Sequence, residues 1–123
     1  MRSESPPELD LVVFEVGGLR FGADAARVVR VAPRDPKASS RLGPGSSRRA
    51  LVVDAGGDGE RQVPIDRLVG FIRAGPDRLR RLPEFVRGLA EPALLGFRLE
   101  ERDEIVLLVD LEALVKQQPS AAP

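Results

Sequence analysis

A stretch of twenty-one residues occurs twice in this chain, and the repeat limits the fold more than any other feature. Leu51–Phe71 (LVVDAGGDGERQVPIDRLVGF), moved back forty positions, falls without a gap on Leu11–Val31 (LVVFEVGGLRFGADAARVVRV). Leu11/Leu51, Val12/Val52, Val13/Val53, Gly17/Gly57, Arg27/Arg67 and Val29/Val69 are identical. Each copy reads as an apolar strand, a glycine turn, a return strand and a third strand that begins after Asp24 or after Pro64-Ile65-Asp66. A gapless repeat of that kind specifies two related β-modules.

The first strand, Leu9–Val16, is apolar on both faces from Leu11 onward except at Glu15, as in a strand buried on most of its surface. Gly17-Gly18 suits a tight hairpin turn, where positive φ is needed. Asp24-Ala25-Ala26 reads as a short helical or turn corner capped by Asp24. Arg27–Val31 alternates only loosely, yet three valines in five residues favour a strand. Pro33–Ala50 differs in kind: one aliphatic residue, Leu42, stands in eighteen positions of proline, glycine, serine and arginine. Such a composition buries too little to offset its ordering entropy, so 33–50 is expected to be a flexible connection.

Beyond the second copy, Leu82–Gly88 reads as one helical turn with Pro83 at its start. Leu94–Glu100 and Glu104–Val109 form a hairpin across the charged Glu101-Arg102-Asp103, and Asp110 caps a closing helix through Leu111, Leu114 and Val115. The first copy has no such hairpin after it; 33–50 stands in its place. The chain therefore looks like a two-fold repeat that has lost one late hairpin. The expected division is a disordered N-terminal arm 1–8, a domain 9–115 built of modules 9–32 and 51–115 joined by the flexible 33–50, and a disordered tail 116–123.

Three segments together resemble CheW, the coupling protein of bacterial chemosensory arrays. Phe21-Gly22-Ala23-Asp24 with Arg27-Val28-Val29-Arg30-Val31 is similar to the family's first-barrel Y-G-x-D…K/R-V-x-E-V motif. Val63-Pro64-Ile65-Asp66-Arg67-Leu68 is similar to its L-P-V-D-x-V motif. Leu82-Pro83, Leu95-Gly96 and Leu107-Leu108-Val109-Asp110-Leu111 resemble its closing signature. The resemblance covers about 9–115 and implies an all-β fold: two intertwined SH3-like barrels with short helical turns, the first half missing a hairpin. The family's G-x-x-N-x-R-G-x-x-x-P-x-x-D-L hairpin is absent, and with it the arginine associated with receptor contact. Arg30 stands where the family has glutamate. The chain is thus similar to a shortened form, the divergent CheW of the Frizzy system of gliding bacteria. The resemblance implies a cytoplasmic, non-enzymatic adaptor with no cofactor or metal. Its implied partners are a chemoreceptor cytoplasmic domain and possible array partners in other CheW-like proteins or the CheA-type kinase regulatory domain, with kinase contact weakened or lost.

The residues by themselves point the same way about chemistry. The chain has no His, Cys, Tyr or Trp, and its seven serines all fall in the terminal segments or in 33–50. No nucleophile and base can be paired on rigid elements. Asp54, Asp58 and Glu60 flank a glycine turn and read as solvated turn carboxylates, short of the ligand spacing of a calcium loop. Gly43–Ser47 has no lysine after its glycines and no strand–helix frame, so it is no phosphate loop. Nineteen basic and nineteen acidic side chains balance, which gives no pull towards nucleic acid or an anionic membrane. No apolar run is long enough to span a bilayer.

What remains is binding. A barrel short of a hairpin exposes an unpaired strand edge, and Val28–Val31, just before the gap, is its candidate. Val28 and Val31 read as either core or edge, whereas Val29 and Arg30 face outward. Phe71 and Phe97 either line a groove between the modules or belong to the core, and Leu95-Gly96 belongs to the closing motif. Val28, Val29, Arg30, Val31, Phe71, Leu95, Gly96 and Phe97 are therefore the candidate partner-binding residues. A nucleic-acid-binding small barrel is the rival reading, prompted by seventeen arginines. The zero net charge and the lack of Tyr and Trp for stacking weigh against it. A homodimer formed through the orphaned edge is the third.

Overall fold

The apolar first strand and its glycine turn form the hairpin the sequence calls for. β1 (Leu9–Val16) pairs antiparallel with β2 (Leu19–Asp24), Val16 opposite Leu19. Gly17 and Gly18 adopt φ of 60° and 83°, a left-handed pair that fits the strand twist. This is a computed structural model, and it describes residues 9–43, 48–75, 79–83, 93–99 and 104–116. The further strands within them are β3 (Val28–Pro33), β4 (Arg49–Asp54), β5 (Glu60–Ile65), β6 (Arg67–Ala74), β7 (Leu79–Arg81), β8 (Leu94–Leu99) and β9 (Ile105–Val109). A six-residue helix, α1 (Leu111–Lys116), and two 3-10 turns, Ala25–Arg27 and Gly56–Asp58, complete the elements. The expected helical turn at 84–88 and the hairpin tip at 101–103 lie outside the described residues.

Two sheets hold the strands. One runs β6-β1-β2-β9-β8-β7 and the other β3-β4-β5. The repeat is visible in them as an exchange. β1 and β2 take as their third strand β6, which belongs to the second copy, while β4 and β5 take β3 from the first. The sheets thus cut across the sequence modules 9–32 and 51–115, and the halves are intertwined. β3 also extends through Pro33 and β4 begins at Arg49, both inside the stretch read as a flexible connection. Between them, Arg34 N–H donates to the Arg48 carbonyl at 2.7 Å, and Leu42, the lone aliphatic of the segment, packs on the core.

The principal core lies between the two sheets. Val12, Phe14 and Val16 of β1 with Phe21 and Ala23 of β2 meet Leu51, Val53, Val63 and Ile65, and Leu111, Leu114 and Val115 close the end. Phe14 and Phe21 stack with centroids 5.8 Å apart. Alternation sends Leu11 and Val13 to the opposite face of β1, where they are buried with Val106 and Ala74. β1 is therefore apolar on both faces because both faces are covered. Asp110 accepts from the Ala113 N–H at 3.1 Å, the expected cap of α1, and Asp24 accepts from the Ala26 N–H at 2.9 Å.

Polar contacts pin the register where the chain changes sheet. Between β5 and β6, Asp66 N–H donates to the Glu15 carbonyl, and the Asp66 carboxylate accepts from the Gly17 N–H, each at 2.8 Å. Beside it a charge ladder crosses neighbouring strands. Arg67 and Arg20 each reach the Glu15 carboxylate at 3.1 Å, and Arg20 reaches Glu104 at 2.9 Å. The hydrogen bond from Arg67, then that from Arg20, holds the Glu15 carboxyl below its ordinary pKa. Farther along, the backbone of β7 lies so close to β8 that a Cβ at Gly96 collides with the Arg80 carbonyl.

Three outcomes are expected in denaturant melts. Asp66→Ala loses the acceptor for Gly17 N–H and costs about 1 kcal/mol. Gly96→Ala forces β7 off β8 and costs about 1–3 kcal/mol. Because the folded-state pKa of Glu15 is depressed, its contribution is present above about pH 4.3 and is lost as pH falls through the lower folded value. The stability gap between the unsubstituted chain and Glu15→Gln is therefore widest near neutrality and closes in acid; a gap independent of pH removes the charge from the account.

Candidate functional site

β3 is an edge strand, and its conformation explains the loose alternation of Arg27–Val31. Val28 pairs with Val53 but Arg30 with Val52, so Val29 is an extra residue, a β-bulge. The bulge resets the alternation by one residue. Val28 and Val31, three apart in sequence, both turn to the core, opposite Val53 and Leu51. Val29 is left 50% exposed, and Arg30 reaches across the sheet to Glu60 at 3.2 Å, both side chains half in solvent. The surface at β3 is thus an outward valine beside an exposed ion pair. Glu60 is a member of this surface that the sequence presents only as one of the turn carboxylates. Asp54, from the same trio, accepts from the Gly56 N–H at 2.9 Å as a turn carboxylate does.

The same device recurs in the second copy. On β6 the register moves from Val13–Gly70 to Phe14–Leu68, leaving Val69 as the extra residue. Val29 and Val69 are identical in the repeat, and both stand exposed on bulges. The identity was legible in the sequence, but the bulge was not. A third bulge on β8, between Leu94 and Gly96, turns Leu95 outward at 55% exposure.

The remaining candidates are dispersed. Phe71, on edge strand β6, is 63% exposed, and Phe97 is half-buried. Gly96 is buried under the Arg80 backbone and offers a partner no side chain. A groove of about 840 Å³ runs between β7 and β8 on one side and the ends of β2, β9 and α1 on the other. Leu11, Leu79 and Leu108 are among its apolar lining, Arg80 and Arg81 stand on one bank, and Asp24 and Glu112 on the other. Of the eight candidates it takes in Leu95 alone. Arg27 spans its acidic bank through an ion pair with Glu112 at 2.8 Å. The candidates therefore divide into a β3 surface (Val29, Arg30), core residues beneath it (Val28, Val31), and separate exposed positions at Phe71 and Leu95.

Comparison with known proteins gives these surfaces a context. No family model matches the chain. The Frizzy aggregation protein FrzB of Myxococcus xanthus is 33% identical over 113 residues, which span 89% of this chain and 97% of FrzB. The crystal structure of the scaffolding protein TtCheW from Thermoanaerobacter tengcongensis superposes with a TM-score of 0.63, covering 90% of each chain at 14% identity. That likeness establishes the fold, an all-β CheW-like arrangement. Among the described residues no helix is long and apolar enough to cross a membrane. With FrzB matched along almost its whole length, the chain belongs to the FrzB family, and its fold is that of CheW.

Proposed function

We propose that this protein is a cytoplasmic adaptor that binds the cytoplasmic tip of a chemoreceptor through the β3 surface, with contact to a CheA-type kinase weakened or lost. The observation that supports receptor docking at β3 most directly is the bulge that drives Val29 into solvent beside Arg30. A small apolar knob flanked by a charge suits the side of a helix, and a receptor tip is a helical coiled coil. The reversal of charge at Arg30, set against the family's glutamate, then selects a partner with a carboxylate at the contact. The smaller sheet, with three strands among the described residues where its counterpart has six, offers less surface for a second partner, and we take the kinase contact to be the one reduced. Phe71 and Leu95 extend apolar exposure to separate faces, where other CheW-like proteins of an array are the suited partners.

Co-sedimentation tests the reading with two probes, a receptor cytoplasmic fragment and the regulatory domain of the kinase. Binding to the receptor and not to the kinase supports it; binding to neither sinks it. Val29→Asp puts a charge on the knob and is expected to abolish receptor co-sedimentation with little loss of stability, since the side chain is already exposed. Arg30→Glu is expected to change which receptor is bound. The introduced carboxylate also faces Glu60, a like-charge contact costing about 0.5 kcal/mol, so the melting temperature falls by only a few degrees. A larger fall assigns Arg30 to the framework of the fold.

A further inference from the structure

The repeat provides its own template for what the smaller sheet lacks. In the larger sheet the trio β6-β1-β2 continues through β9 and β8 to β7; in the smaller one the corresponding trio β3-β4-β5 stops at β5. β9 lies parallel to β2, with Arg20, Phe21 and Gly22 opposite Val106, Leu107 and Leu108. Among the described residues no strand pairs with the outer edge of β5. The vacancy left by the lost hairpin is therefore at β5, on the far side of the sheet from Val28–Val31.

The direction of each backbone group on that edge follows from one proline. Pro64 lies opposite Ala50 in the β4–β5 ladder and has no N–H, so theirs is a non-hydrogen-bonded pair. In an antiparallel ladder such pairs alternate with bonded ones, which puts Gln62–Val52 and Glu60–Asp54 in the same class. The bond from Ala55 N–H to the Gly59 carbonyl, one step beyond Glu60–Asp54, has the required parity. Glu60 and Gln62 therefore direct both N–H and C=O away from β4, and Pro64 directs a carbonyl. Two donors spaced two residues apart, ended by a proline, provide for a short ladder of the length that β2 and β9 make.

The outer edge of β3 is poorer. Arg34 N–H bonds to the Arg48 carbonyl, so the same alternation points Val31 and Pro33 outward. Pro33 has no N–H, and the bulge at Val29 breaks the spacing before Val31. That edge is suited to recognition by side chains, and the edge of β5 to recognition by backbone.

We propose that the outer edge of β5 accepts a β-strand from a partner protein, running parallel to β5 as β9 runs beside β2. The incoming strand extends the core face formed by Val63 and Ile65, so it carries apolar side chains at every second position. This site is separate from the β3 surface, and a partner can occupy it whether or not a receptor is bound.

The probe is a synthetic peptide with the sequence of residues 104–110, EIVLLVD, which includes the strand that fills the corresponding slot at β2. Amide hydrogen exchange is followed by NMR on the full chain. Saturating peptide is expected to slow exchange at Glu60 and Gln62 about tenfold. Glu60→Pro, which removes an outward N–H, abolishes the effect at Gln62, and Glu60→Ala, which keeps the N–H, retains it. A spin label on the peptide N-terminus broadens the amide of Glu60 and not that of Ile65 if the strands are parallel, a readout that stands even if the proline variant fails to fold. Protection at Val31 in place of Glu60, broadening at Ile65, exposure of Arg20 and Gly22 through displacement of the resident β9, or no slowing anywhere overturns the proposal.

Discussion

The structure depends on the exchange of third strands between the two copies of the repeat. β3 leaves the first copy to complete the sheet of the second, and β6 makes the reciprocal move. Each crossing is short, with one residue, Asp66, between β5 and β6 and a single 3-10 turn between β2 and β3. At the first of these, the carboxylate and N–H of Asp66 tie the crossing to the Gly17 turn and to Glu15. The Arg67–Glu15–Arg20–Glu104 ladder then spans the crossing strand, the central hairpin and the start of β9. Exposed ion pairs of this kind contribute little each. Their geometry, however, opposes a slip of one residue, which turns every apolar side chain of β1 to the wrong face.

Much of this was legible in the sequence because the repeat was unbroken. The strand boundaries of β1, the glycine turn, the caps at Asp24 and Asp110 and the hairpin of 94–109 follow from local pattern and turn chemistry. Strand exchange was implied only by the family resemblance, because an apolar strand records that it is covered and says nothing of which hairpin covers it. Bulges are likewise silent: Val28, Val29 and Val31 are three valines, and only the pairing with β4 shows that the middle one is extruded. Arg30 faced outward as its charge demands, but its partner Glu60 is thirty residues away, and no local spacing signals the pair. Gly96, grouped with the partner-binding residues through a family motif, has a packing constraint at Arg80 that the motif does not express.

The loss of a hairpin has been absorbed without leaving the core open. Leu42, the lone aliphatic of 33–50, packs against the core, and the Gln62 amide bridges to the Pro33 carbonyl at 3.3 Å and the Asp35 N–H at 2.8 Å. Three exposed apolar residues, Val29, Val69 and Leu95, are each held on a bulge. On the edge strands β3 and β6 irregular pairing opposes the addition of a further strand while leaving the side chains available.

The strand exchange also governs the order in which the protein can be made. Leu9 pairs with Ala74, so β1 leaves the ribosome well before its outer neighbour exists. β3 meets β4 earlier, across a connection of fifteen residues, but their sheet packs on a β1 that is still unfinished. Neither half is a unit that can settle alone, so both copies of the repeat must be made before either sheet is complete.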